Sequence, residues 1–371
     1  MDISYTTQIF VNLPDMRVIV AGDFSPHDRV TALLRASRFE EVFGRVRPLV
    51  LAADYSIVNF ESCVESPQGR KIRKLGPHLC CPASSVDALK YAGFDCVSLA
   101  NNHFRDFGDA AVRASLDNFA RVGLDTVGGG MNISEASATL YRKVAGRTLA
   151  VISCCEREFS IADNAHAGSN PLDPPVQAEA IAAARQNADN VIVIVHGGSE
   201  YFRHPTPRMV QEYRSFIDAG ADAVINHHQH CFCGWELYGD RPIFYGLGNF
   251  CFDWPSERDG DWNRGYMVSL DLDADKVSFN MLPYIQCSTA ANVVPIPFEG
   301  AFEKEISCLC AEISDPQALQ RHFDDLVRER RHIYRKALRP SLFFRGKKAL
   351  KLENFSVCPS HADILNAVKK G

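Results

Sequence analysis

The sequence predicts an α/β fold with a mixed sheet system and a helical C-terminal extension. Short apolar runs alternate with segments of helical periodicity over about the first 250 residues, which is the pattern of strand–helix–strand units. One of these runs, Val191-Ile192-Val193-Ile194-Val195, is apolar without alternation and marks a central strand covered on both faces. From about residue 303 the pattern changes to amphipathic helices carrying a strongly basic stretch.

In chain order, strands are expected at Arg17–Ala21, Ile57–Phe60, Cys96–Ala100, Leu149–Ser153, Val191–His196, Ala223–Asn226, Pro242–Tyr245, Tyr266–Leu272 and Lys276–Leu282. Helical periodicity falls between them at Val30–Arg38, Val86–Ala92, Asp109–Val122, Gln177–Gln186 and Pro207–Ala219. Gly93, Gly123 and Gly220 follow three of these segments, where a left-handed cap would end a helix. The later strands read as hairpin neighbours, which makes the sheets mixed. Two amphipathic helices, Glu303–Ile313 and Pro316–Ala337, come next, and a last short helix starts after Pro359-Ser360. The chain therefore divides into a large domain, 1–300, and a helical, basic extension, 301–371.

Of the 371 residues, 23% are charged and 46% hydrophobic, as in an ordinary globular protein, and the formal net charge of −5 gives no reason to expect a nucleic-acid partner. The opening residues lack a basic region followed by a long apolar stretch, and no later run is long enough to span a bilayer. The expected location is the cytoplasm. Thirteen cysteines, an odd number scattered through apolar segments, fit buried reduced thiols in a reducing compartment. Cys231 and Cys233 could bind a soft metal, but no second pair at zinc-site spacing accompanies them.

Sites in open α/β sheets form at the carboxyl ends of strands. Those ends deliver Asp23; Asn59 and Glu61; Asn101, Asn102 and His103; His196 and Glu200; His228 and His230; and Asn249. Carboxylates, a carboxamide and imidazoles from separate strands suit a two-metal site with a bridging carboxylate, which activates a water and clamps phosphoryl oxygens. Each residue also has an ordinary reading. Asp23 could cap a helix, the asparagines could form turns, and a strand-end histidine could be a hydrogen-bonded core residue. Recurrence across these strand ends favours the metal-dependent hydrolase.

Several motifs then carry a family resemblance: Ala21-Gly22-Asp23; Asn59-Phe60-Glu61; Ser98-Leu99-Ala100-Asn101-Asn102-His103 with Asp106 and Gly108; His196-Gly197-Gly198-Ser199-Glu200; His228-Gln229-His230; and Pro242 to Phe250. In this order they resemble the bacterial capsule-synthesis CapA, or poly-γ-glutamate synthesis, family within the calcineurin-like metallophosphoesterases. The resemblance runs from about Arg17 to Phe252, and more weakly to about Pro297. It implies a four-layer α/β/β/α sandwich and one or two divalent ions (Mn, Fe or Zn). It also implies Asp23, Glu61, Asn102, His196, His228 and His230 as metal ligands. His103 would assist the leaving group, Glu200 would act beside it, and Asn59, Asn101 and Asn249 would orient ligands or contact substrate. The chain departs from the family's pattern at Asn226 (usually glycine), Gln229 (usually proline) and Gly197 (commonly tryptophan). Ser25 stands where the wider superfamily has the histidine of Asp-x-His.

The expected activity is hydrolysis of a phosphate ester, or of a link within an anionic polymer or its lipid-linked precursor. Two alternatives keep the same ligands: an assembly factor with little or no turnover, and an amide hydrolase. The expected partner is a small molecule or polymer bearing phosphate or carboxylate. The stretch Arg328 to Lys351 holds ten Lys/Arg and one acidic residue, Glu329, around Phe343-Phe344. It is either a solvated charged face or a docking site for an anionic surface, the inner membrane leaflet or an acidic polymer.

Overall fold

A computed structural model describes residues 14–274, 276–338 and 346–370. Among these residues the main strands form an eight-stranded and a six-stranded sheet. In the first, Met16–Phe24 lies parallel to Tyr55–Phe60, which continues into Cys96–Ser98 and Asp125–Val127. On its other side it meets Arg264–Leu272 antiparallel, followed by Val277–Gln286 and Val293–Pro295. The second sheet has a parallel centre of Arg147–Cys155, Asn190–His196, Ala223–His227 and Arg241–Phe244, with an antiparallel strand at each edge.

Side-chain alternation divides these strands between three cores. Val18 and Val20 face Ile192 and Ile194 in the layer between the sheets. Ile19 and Ala21 face outward against Val30, Leu34, Val86, Leu89 and Phe119 of the first helix layer. Val191, Val193 and Val195 face the opposite way, against Ile181, Met209, Tyr213 and Phe216. The order is helix, sheet, sheet, helix, which is the four-layer sandwich the resemblance implies. The Val191–Val195 run is apolar throughout because both of its faces are buried.

Most boundaries fall within a few residues of expectation. Gly93 and Gly123 end their helices with φ of 101° and 68°. The first helix, Asp28–Arg35, stops short of the expected Arg38 because the chain turns through Ser37 at φ 56°. The strand expected to reach Ala100 ends at Ser98, where the chain bends into the site. Seven short strands lie outside the expected ones: Asp125–Val127, Gly129–Gly130, Leu140–Val144, Gly168–Ser169, Trp235–Tyr238, Asn249–Cys251 and Val293–Pro295. The helix Lys347–Val357 was not foreseen either.

On the C-terminal side of residue 300, the helix Ala301–Ser314 places Phe302, Ile306 and Leu309 in the inter-sheet core. The later helices, Pro316–Leu338, Lys347–Val357 and Pro359–Lys370, share a smaller core of their own around Leu326, Tyr334, Phe355, Ile364 and Leu365. Arg339, Phe343, Phe344 and Arg345 of the expected basic contact lie outside the described residues. No described helix is long and apolar enough to cross a membrane.

Candidate metal centre

The parallel strands of both sheets end at the same edge of the sandwich. Asp23 closes the first strand, where Gly22 lets two backbones approach unusually closely. A Cβ on Gly22 would lie 1.9 Å from the Gly248 carbonyl oxygen. That carbonyl instead accepts the Asp23 N–H at 3.1 Å, which seats Asn249–Cys251 parallel to the end of the first strand.

Glu61, at the end of the second strand, is fully buried, and both of its carboxylate oxygens lack a hydrogen-bond partner. Around its Oε1 lie His196 Nε2 at 3.6 Å, His230 Nε2 at 3.8 Å and His103 Nε2 at 4.0 Å. Burying a carboxylate without donors costs several kcal/mol, on the order of the penalty for an unpaired ion. Burial, followed by repulsion from Asp23 and Glu200, pushes the Glu61 carboxyl well above the ordinary carboxylate range.

Two groups of ligand atoms share this carboxylate. Glu61, His196 and His228 bring one atom each within 4.8 Å of one another, and so do Asp23, Glu61 and His230. His196 Nε2 lies 3.2 Å from Asn102 Oδ1 and 3.1 Å from His228 Nδ1. Burial raises Asp23, but contacts with His227, His196 and His230 outweigh it and hold the carboxyl below its ordinary value. Burial lowers His196 and His230, so both rings favour the neutral form that ligates metals.

The surrounding residues orient this cluster. Asn249 Oδ1 lies 2.9 Å from His230 Nδ1, and its Nδ2 donates to the His230 and Trp262 carbonyls, which turns Nε2 toward Glu61. Asn59 Nδ2 donates to Asp23 Oδ1 at 2.7 Å and lies 3.1 Å from His196 Nδ1. Asn101 points away: its amide donates to the Phe60 carbonyl and its Oδ1 accepts the His103 N–H. His103 Nδ1 lies 2.6 Å from Asp106 Oδ2 and 3.0 Å from Lys74 Nζ, leaving Nε2 toward Glu61. Glu200 is not in the cluster. It is exposed, on the wall of a cavity of about 420 Å³ that also reaches Asn102 and His103.

Sequence reasoning missed four participants. His227 Nδ1 lies 3.3 Å from Asp23 Oδ1. Glu158 accepts from Asn102 Nδ2 at 2.8 Å and fixes which way that amide faces. Lys74 joins His103 and Asp106. His361, on the last helix, lies 3.6 Å from Glu158. Ser25, where the resemblance leads one to expect an imidazole, is buried with its hydroxyl 3.2 Å from His27 Nε2. His27 stacks on Phe252 and is in none of the metal-sized groups among the described residues. Neither Cys231 nor Cys233 is in such a group.

A family model described as Bacterial capsule synthesis protein PGA_cap matches residues 17–254. PGA biosynthesis protein CapA of Bacillus subtilis (strain 168) is 36% identical over 244 residues, covering 64% of this chain and 64% of that one. Capsule biosynthesis protein CapA of Bacillus anthracis is 32% identical over 254 residues, covering 66% and 62%. The chain thus spans somewhat under two thirds of the length of either relative. A protein of Mycobacterium tuberculosis (strain ATCC 25618 / H37Rv) named Probable polyglutamine synthesis accessory protein Rv0574c is 26% identical over 216 residues, covering 55% and 57%. Among solved structures, TT1561 of Thermus thermophilus aligns with TM-score 0.39 and 13% identity, covering 72% of this chain and 98% of that one. The 5'-nucleotidase precursor from the same organism aligns with TM-score 0.37 and 13% identity, covering 79% and 57%.

Proposed function

Because the chain belongs to the bacterial capsule synthesis family PGA_cap, we propose that its buried cluster holds one or two divalent ions and hydrolyses a phosphate ester or a link in an anionic capsule polymer or its precursor. The observation that carries this reading is Glu61, whose two buried oxygens have no donor and are ringed by imidazole nitrogens. A cation supplies what that carboxylate lacks, and Mn, Fe or Zn suits a set of carboxylate, carboxamide and imidazole donors.

In this reading Glu61 would serve both ions, His196, His228 and Asn102 would hold one, and Asp23 and His230 would hold the other. Ser25 leaves the Asp23 side with one imidazole fewer than the superfamily's pattern. When bound, such ions act as Lewis acids that bring a water's pKa toward neutrality and offset charge developing on the substrate's oxygens. The protein's own groups do the rest. Asn249, Asn59 and Glu158 hold His230, His196 and Asn102 in their orientations, as groups behind metal ligands do. His103, fixed through Nδ1 by Asp106, presents Nε2 to the reacting group and carries a proton to or from the leaving oxygen. Glu200 stands at the entrance, where it contacts substrate.

A second reading, an assembly factor that binds metal without turnover, is favoured by the relatives' printed names, which speak of biosynthesis and not hydrolysis. One experiment separates the two. The purified protein, reconstituted with Mn, Fe or Zn, is assayed for metal content and for hydrolysis of an aryl phosphodiester, beside Glu61→Gln. Metal with turnover, both lost in Glu61→Gln, supports the hydrolase. Metal without turnover on ester or amide probes supports the assembly factor. A protein that takes up no metal overturns both readings.

A further inference from the structure

The cavity beside the cluster is built from two parts of the chain. Asn102, His103 and Glu158 come from the sandwich, and Arg330, Tyr334 and Lys351 come from the C-terminal helices, beyond the residues that match the family. Most buried or half-buried arginines of the sandwich meet carboxylates: Arg29 on Asp253, Arg185 on Asp222, Arg214 on Glu236. Arg330 and Lys351 make no ion pair among the described residues. Arg330 Nη2 donates to the Glu200 backbone carbonyl at 2.5 Å, and the Lys351 ammonium lies 5.3 Å from the centre of the Phe355 ring. Two carboxylates share the wall. Glu158 is committed to Asn102 and His361, while Glu200 lies at the rim.

We propose that the C-terminal helices form the substrate-recognition wall of the site. In it, Arg330 and Lys351 bind carboxylate groups of an oligo-anionic chain whose reacting link lies over the cluster. The two cations stand on separate helices, Pro316–Leu338 and Lys347–Val357, so they fit charges repeated along a chain better than one compact anion. Phe159, Tyr334 and Phe355 line the same wall and suit the methylene groups between those charges. The proposal rests on the cluster being the reacting centre, but its test does not need turnover.

Binding of a fluorescent glutamate oligomer, and of inorganic polyphosphate as a competitor, is measured by anisotropy on the full-length protein. The proteins compared are wild type, Lys351→Glu, Arg330→Gln, and Lys369→Glu as an exposed charge control. Circular dichroism and metal content check each variant. Loss of one charge-assisted contact weakens binding about tenfold or more, so Lys351→Glu and Arg330→Gln should both show this and Lys369→Glu should not. Wild-type affinity in Lys351→Glu, absence of oligomer binding, or preference for polyphosphate would each overturn the proposal. Oligomer binding that depends on Lys351 in a protein without turnover would uphold it while removing the hydrolase reading.

Discussion

At the scale of single residues, the proposed reading gives His103 a part in the chemistry and none in ligation. Its Nδ1 is held by Asp106 and Lys74, and its Nε2 approaches Glu61 without belonging to either metal-sized group. His103→Ala should therefore lower kcat by about 10²–10⁴ while metal content stays at the wild-type level. Full activity in the metallated variant would make His103 a structural turn residue. Most of the cluster was legible because each member ends a strand. His227 was not, because strand alternation predicts that it faces away from its neighbours. The chain escapes that alternation at His228 and His230, with φ of 94° and 58°, and all three rings approach the same centre. Glu158 and Lys74 were hidden for another reason. They lie in loops without periodicity, and only the tertiary path brings them to Asn102 and His103.

At the scale of elements, Asp253 ties the start of the first helix to the chain beyond Asn249–Cys251. Its buried carboxylate meets Arg29 Nη2 at 2.8 Å and Arg258 Nε at 2.9 Å. Burial raises its pKa, but the two guanidinium groups outweigh burial and hold it below the ordinary 3.8. The folded state thus favours the charged form. Its stabilisation is complete above the ordinary value and is lost as pH falls through the lower folded value. Asp253→Asn should cost roughly 1–3 kcal/mol near neutrality, as for a buried charged hydrogen-bond partner. Thermal melts should show the gap to wild type narrowing below about pH 3.8, and a gap that stays constant down to pH 3 would contradict this. Long helices and apolar strands were readable from periodicity. Two- to five-residue strands such as Leu140–Val144, with its exposed, polar middle, carry too few alternations to stand out.

At the scale of the whole molecule, a sequence of strands does not say which sheet each one joins, so the four layers came from family resemblance and not from pattern. The helix Ala301–Ser314 was legible as a helix, but its place was not, because amphipathicity identifies an apolar face without naming what covers it. Phe302, Ile306 and Leu309 cover the inter-sheet core. Truncation after residue 300 should consequently give an aggregating or unfolded product. Truncation after Ser314 should keep the sandwich soluble, with both judged by gel filtration and near-ultraviolet circular dichroism. A monomeric, cooperatively melting 1–300 fragment would show that the helix is dispensable.

Among the contacts between the later helices and the sandwich, one is centred on a buried anion. Glu156 accepts from Arg208 at 2.6 Å, the Ser360 hydroxyl at 2.8 Å, the Ser360 N–H at 3.2 Å and the Cys358 thiol at 3.3 Å. Three of these four donors leave together if the last helix lifts, and until water reaches the carboxylate it keeps only Arg208, which costs several kcal/mol for a charge still buried. Gradual peeling is therefore unfavourable, and the helices stay seated or release as a unit. Under the proposed reading, the wall that carries Arg330 and Lys351 is then a fixed surface, and an oligo-anionic chain meets it already in place instead of ordering it on binding.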